Sequence, residues 1–381
     1  MMKIERVNTF VLHADLGDQA FAYSQNWYSC RSATVVEVVC DDGIVGYGEA
    51  FGPAQVNAIA IQTLYAPMLI GRNPLERENL WLEMYNRYRD HGQKGTLIEA
   101  LSGVDIALWD IAGKHFGVPI WEFAGRHYRD ELQVYATCLY RTALRQDIQS
   151  LIAEVENHLR NGYQMIKLKI GFGLRHDIEV VRAVRKSVGD EVGLMVDANH
   201  AYDVSKASVL AHELADCNIL WFEEPIVPED LEGYKELRRV SPIPLAGGEA
   251  EYTRYGFRRL ISERAVDIIQ PDCCAAGGLS ESLKIADMAD AWQVRCNPHV
   301  WGTGIAVAVG VHLGAMIAPC PPALVSENDP LLEMDRSPNV LREEVVCGGL
   351  EFAAGKVKVP TGPGLGIEVD RKALERYKLA V

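Results

Sequence analysis

Polar residues able to do chemistry recur at a nearly constant interval through the middle of this chain. From Lys169 the series runs Asp197, Glu223, Glu249, Asp272, His299 and Glu327, with gaps of 28, 26, 26, 23, 27 and 28 residues. One gap is about the length of a strand, a helix and two short loops, so each step reads as one βα unit. Each residue also stands at or near the end of a short apolar run. Reactive groups collect at the C-terminal strand ends of a β/α barrel, so the spacing predicts one site built from successive strands. The strand candidates are Leu132–Thr137, Gln164–Ile170, Val192–Asn199, Ile219–Pro225, Pro244–Glu249, Val266–Asp272, Val294–His299 and Ala323–Glu327, eight in all.

The chain before this series has a different pattern. Residues 3–13 and 33–41 alternate apolar and polar side chains, and Asp41-Asp42-Gly43 supplies a turn. Residues 56–117 then read as helices, with one apolar stripe at Leu80, Leu82, Tyr85 and Tyr88 and another through Ile98, Leu101, Val104, Ile106, Leu108 and Ile111. Between the strands lies Phe21–Arg31, rich in aromatic and amide side chains, read as a loop that closes over a site. After Pro330 the strand–helix alternation stops, and Val345–Val359 and the Gly362-Pro-Gly-Leu-Gly stretch read as a tail returning to the N-terminal module. The expected division is an α+β cap over 1–125, a barrel over 126–330 and a returning segment over 331–381.

Composition narrows the partners. With 52 acidic against 38 basic side chains the net charge is −14, which argues against nucleic acid and anionic membranes. An acidic substrate would then need a local cation. The nine cysteines lack paired metal spacing, so reduced thiols in the cytoplasm are expected. The N-terminus shows no signal-peptide core, and no uncharged apolar run reaches the roughly 18 residues of a membrane span.

The residue types then define a chemistry. In Gln164–Ile170, Ile166, Leu168 and Ile170 share one face and Lys167 and Lys169 the other. Asp197, Glu223 and Glu249, from three consecutive strands, are hard oxygen ligands suited to Mg2+, or Mn2+ as a substitute, and could not crowd together ionised without a cation. Glu224, next in sequence, is expected to face the opposite way. Lys169 is a candidate base, its neutral amine favoured by Lys167 and the metal; Lys167 is expected to contact a substrate carboxylate or a metal ligand. Asp272 and His299, one βα unit apart, are expected to pair, the carboxylate fixing the imidazole tautomer. Glu327 is a candidate acid for developing negative charge. Tyr23, Gln25 and Trp27 of the loop, with Asn199 and Trp301, are the candidate substrate contacts. Gly277-Gly278 reads as a tight strand–helix turn.

As a set, Lys167-Leu168-Lys169, the three carboxylates, the Asp272–His299 pair and Glu327 resemble the mandelate racemase subgroup of the enolase superfamily. Ala100–Ile111, Val196–Tyr202, Trp221–Glu229, Pro298–Gly304 and Gly362–Glu368 extend that resemblance across the chain, toward lactone cycloisomerases and acid-sugar dehydratases; Arg89, His91 and Gln93 also resemble it. The resemblance implies an α/β fold: a (β/α)7β TIM-like barrel under an α+β capping domain formed by both termini. It also implies a homo-oligomeric enzyme that uses Mg2+ to remove the proton α to a carboxylate through an ene-diolate. Loss of a β-oxygen, by dehydration or lactone opening, would give a 2-keto-3-deoxy sugar acid. The alternative is a racemase or epimerase of a 2-hydroxy acid. Which of Lys169 and His299 abstracts the proton stays open.

Overall fold

The computed structural model describes residues 2–142, 147–322 and 329–379. The N-terminal region opens with an antiparallel sheet of β1 (Ile4–Asp15), β2 (Cys30–Cys40) and β3 (Val45–Ala50), with β2 central. The longest helices that follow in this region are α1 (Ala54–Ala60), α2 (Arg77–Tyr88) and α3 (Thr96–Phe116). Helix α3 lies against β3 so closely that a β-carbon at Gly46 or Gly48 would collide with the carbonyls of Ala107 and Gly103. Glycine there lets backbone meet backbone. The stripe expected on α2 is rotated by part of a turn: Leu80, Trp81, Met84 and Tyr85 are buried, whereas Leu82 is exposed. Trp81 sits on that buried face, and its indole N–H donates to the carbonyl of Gly277 at 2.7 Å.

The remaining chain alternates strand and helix. Its strands are β4 (Glu131–Cys138), β5 (Met165–Lys169), β6 (Gly193–Asp197), β7 (Ile219–Glu223), β8 (Leu245–Gly247), β9 (Ile268–Ile269), β10 (Arg295–Cys296) and β11 (Leu332–Asp335). They pair in parallel in the order β10, β9, β8, β7, β6, β5, β4, β11. The last strand therefore lies past the boundary expected at residue 330, and the sheet extends to Asp335. The expected strand Ala323–Glu327 falls entirely on residues 323–328, outside the described residues. The two ends of the sheet approach through Leu331 N–H on Asn297 Oδ1 at 3.2 Å and Val300 N–H on Glu333 Oε2 at 3.3 Å.

Strand alternation sorts the side chains as β5 predicts. Ile166, Leu168 and Ile170 join the large core under the helices. Inside the sheet, Tyr135, Met195, Trp221, Ala246 and Ile268 form an apolar floor. Two residues further along their strands come Thr137, Asp197, Glu223 and Gln270, all fully buried. The floor excludes water from below, so the charged layer above it sits in a low dielectric.

The tail does pack back toward the N-terminal module: Leu365 N–H donates to Asp110 Oδ1 at 2.9 Å and Leu379 N–H to the carbonyl of Val11 at 2.8 Å. Gly277 and Gly278 take φ of +115° and +82°, and the turn they make is a docking point for the cap. Asp105 on α3 accepts from Ser280 N–H and Oγ at 2.9 and 2.7 Å, and Ser102 accepts from Gly277 N–H at 2.8 Å. Among the described residues no helix is long and apolar enough to cross a membrane.

Candidate active site

The C-terminal ends of β5, β6 and β7 place Lys167, Lys169, Asp197 and Glu223 in one cluster, and the loop after β8 adds Glu249. One carboxylate oxygen from each of Asp197, Glu223 and Glu249 lies within 4.8 Å of the others. Lys167 Nζ contacts Glu223 directly, Glu333 Oε1 at 2.8 Å and Asp197 Oδ2 at 3.7 Å. Lys169 Nζ donates to Asp197 Oδ2 at 2.5 Å and Asn199 Oδ1 at 2.9 Å.

These contacts set the charges. Burial alone would raise Asp197, but Lys169 and Lys167 outweigh it and hold it down at about 2. Glu223 rises to about 7, burial winning over Lys167. The neutral amine expected for Lys169 is not what this arrangement favours. Burial pulls its pKa down, yet Asp197 more than reverses that and the ammonium is stabilised. Lys167 does oppose Asp197 here, as reasoned, but it is one cation among several carboxylates.

On the far side of the cluster the loop after β9 carries Asp272 and the loop after β10 carries His299. His299 Nδ1 donates to Asp272 Oδ2 at 2.7 Å, while Asp272 Oδ1 accepts from Cys274 N–H at 2.6 Å. This leaves Nε2 pointing toward Glu249 Oε2, 3.4 Å away. Burial would lower the imidazole, but Glu249 and the bond to Asp272 carry it up to about 10. The ring of Phe51, from the cap, meets His299 edge-on at 5.9 Å.

One candidate acid cannot be placed, and another acidic position differs from expectation. Glu327 lies outside the described residues. The carboxylate that the last strand turns toward Lys167 is Glu333, 34 residues past His299, which the even spacing passes over. Its signal was an acid inside the apolar run Leu331–Met334. Thr137 Oγ1 donates to it at 2.6 Å. Lys167 and then His299 bring it down to about 2 against the effect of burial. Glu224 does not simply face the helices: β7 ends at Glu223, Glu224 takes φ +42°, and its carboxylate pairs with His200 Nε2 at 3.1 Å. Strand alternation no longer holds once the strand has ended.

The loop at 21–31 forms a small sheet in which Phe21–Ala22 pairs with Trp27–Tyr28 and with Arg141–Thr142. It is closed onto the loop after β6: Gln25 Nε2 donates to the carbonyl of Asn199 at 2.9 Å, and Ser24 Oγ to that of Ala198 at 2.7 Å. Tyr23 lies within the field of Glu249 and Lys169, its hydroxyl pushed up to about 12, chiefly by burial. Tyr28 links it to Trp301, with ring separations of 5.9 and 5.8 Å. Arg31 braces Trp301 from 4.4 Å and is itself held by Asp335. Trp27, however, is 52% exposed and turned outward. Arg89, His91 and Gln93 are exposed as well. Tyr140, not singled out from sequence, lies 5.8 Å from the Lys169 ammonium.

Residues 8–125 match the family model for the mandelate racemase / muconate lactonizing enzyme N-terminal domain, and residues 150–373 match the enolase C-terminal domain-like model. The chain belongs to the enolase superfamily. Over 378 residues, 99% of each chain, it is 43% identical to D-galactarolactone cycloisomerase of Agrobacterium fabrum. Arabinonate dehydratase of Saccharolobus solfataricus is 34% identical over 90% of this chain and 89% of its own. The crystal structure of the 3,6-anhydro-D-galactonate cycloisomerase from Zobellia galactanivorans superposes with a TM-score of 0.90 at 38% identity, covering 99% of this chain and 100% of that one. In superfamily terms the cluster is a candidate Mg2+ site, and its donors suit one. All three are hard oxygens, and Glu249 Oε2, though buried, accepts no hydrogen bond.

Proposed function

We propose that this enzyme removes the proton α to the carboxylate of a sugar acid or its lactone, then expels the β-oxygen to give a 2-keto-3-deoxy acid. The observation that carries the reading is the placement of two proton-transfer groups on either side of the carboxylate cluster. Lys169 approaches it along Asp197, and His299 along Glu249, with Glu223 between them in strand order. Asp197, Glu223 and Glu249 would hold Mg2+, or Mn2+, which when bound draws in a substrate carboxylate and favours its enolic form. That cation would also offset the acidic field that now keeps Lys169 charged.

The chain's own groups supply the rest. Lys169 Nζ is oriented by Asn199 Oδ1, and His299 Nε2 by Asp272 through Nδ1, so either can accept a proton from a substrate held between them. The group opposite the base then donates a proton to the departing β-oxygen, either a hydroxyl in dehydration or a ring oxygen in lactone opening. Lys167, lodged at the base of the cluster and held there by Glu333, is the cation that faces the charge developing on the carboxylate. Tyr23 and Trp301 wall the site from the capping side and limit water. We read the parallel sheet as a closed (β/α)7β barrel, with β11 beside β10.

The same pair of bases would also serve a racemase or epimerase, which moves the α-proton from one face to the other without a leaving group. The relatives' names favour elimination. Lys169→Ala and His299→Asn test the assignment together: each should abolish product formation with sugar acids while the folded protein still binds Mg2+. Full turnover and normal Mg2+ dependence in both variants would sink it.

A further inference from the structure

Glu223 is held differently from the other two carboxylates of the cluster. Its Oε2 accepts from the amide Nε2 of Gln270 at 2.6 Å and from the indole Nε1 of Trp221 at 2.9 Å. Its Oε1 faces Lys167. Gln270 is 0% exposed and Trp221 3% exposed, and Glu223 itself is 0% exposed. Two donors occupy the two lone pairs of Oε2, so that oxygen has no capacity left for a cation. Oε1 keeps one lone pair beyond the bond to Lys167. Asp197 is held otherwise, by the Asn199 backbone N–H on Oδ1 and by lysine ammonium groups on Oδ2, and Oε2 of Glu249 has no hydrogen-bond donor. Of the three, only Glu223 has one oxygen filled by two neutral side-chain donors.

The amide of Gln270 also cannot turn round. Its own Oε1 is buried with no hydrogen-bond partner, a disfavoured state that flipping would worsen by setting two oxygens against each other. A glutamine that keeps its carbonyl unsatisfied in order to face a carboxylate is poorly explained by packing alone. Gln270 lies two residues before Asp272, so the backbone that presents Asp272 to His299 also carries the residue that fixes Glu223.

We infer that Gln270 and Trp221 are positioning residues that hold Glu223 as a one-oxygen ligand, and so set how tightly the site takes its divalent cation. They act through Glu223 and touch no reacting atom. The inference rests on Glu223 being a metal ligand, as in the proposed function.

Mn2+ is the probe, with its affinity for the full-length protein measured by calorimetry or electron paramagnetic resonance in the absence of substrate. Gln270→Met keeps the volume and removes the N–H donor; Trp221→Phe removes the indole donor and keeps an aromatic ring, though a smaller one, so a fold defect in one leaves the other to report. Each should weaken Mn2+ binding about tenfold to a hundredfold, as loss of a ligand's orienting partner does elsewhere. At saturating Mn2+ kcat should fall less than about threefold, because the bases are untouched. Unchanged Mn2+ affinity in both variants overturns the inference, and so does a kcat at saturating metal that falls as far as the affinity. Glu223→Gln separates the two levels. If it too leaves Mn2+ affinity intact, the metal reading itself fails; if it abolishes binding while Gln270→Met does not, only this inference fails.

Discussion

Lys167→Met removes an ammonium that is 0% exposed and bears against three carboxylates: Glu223, Glu333 at 2.8 Å and Asp197 at 3.7 Å. At an effective dielectric constant of about 20, a unit pair at the Glu333 separation is worth about 6 kcal/mol before desolvation is counted. Much of that offsets the cost of burying the charges. Deleting one partner of a buried pair has a net cost of about 3–5 kcal/mol, since the orphaned carboxylates must take up protons or stay uncompensated. At about 2.1 cal/mol/K per residue over this chain, the unfolding entropy is about 0.8 kcal/mol/K, which turns that cost into a Tm drop of about 4–6 °C. The assay is thermal unfolding followed by circular dichroism in EDTA, with and without excess Mg2+. Without Lys167 a bound cation would carry more of the compensation, so Mg2+ should raise the Tm of the variant more than that of the wild type. A Tm within about 1 °C of wild type in EDTA would refute the reasoning, because the cluster would then not depend on this charge.

Asp105 joins the cap to the Gly277–Gly278 turn and is raised to about 7, mainly by burial and in spite of Ser280 and Arg77. The folded state therefore keeps a proton that the unfolded chain has released, so stability falls as pH rises from about 4 to 7, by up to about 4 kcal/mol. Asp105→Asn should flatten that part of a Tm-versus-pH curve; an unchanged slope would show that Asp105 does not titrate there. Asp272→Asn leaves His299 without the carboxylate that fixes its tautomer, so kcat should drop by about 10²–10⁴-fold, with Mn2+ affinity within about threefold of wild type. Loss of metal binding instead would place Asp272 among the ligands.

Much of this site was legible because βα repetition turns distance in space into regular distance in sequence. Lys167, Lys169, Asp197 and Glu223 lie at strand ends, Glu249, Asp272 and His299 in the loops just past them, and they come together. What escaped was whatever departs from regular geometry. Glu333 comes 34 residues after His299, beyond the 23 to 28 of the other steps, so its spacing breaks the period although its strand pairs in register with Val134–Thr137. Glu224 sits just past a strand end, where a positive φ redirects its side chain. On α2 the buried stripe is Leu80, Trp81, Met84 and Tyr85, with Trp81 where the expected stripe had Leu82, and the Trp81 indole is hydrogen-bonded to Gly277 from another region of the chain. The charge of Lys169 depends on carboxylates brought in from other strands, Asp197 first, which an expectation built on Lys167 and a bound cation did not include.

The most direct test of the central claim is proton NMR in deuterated water, with Mg2+ present, on a panel of aldonic and aldaric acids and their 1,4-lactones. The account predicts a 2-keto-3-deoxy product from at least one of them, with deuterium taken up where the enolic form is protonated. α-Proton exchange or epimerisation without any keto acid would contradict elimination and assign the two bases to racemisation.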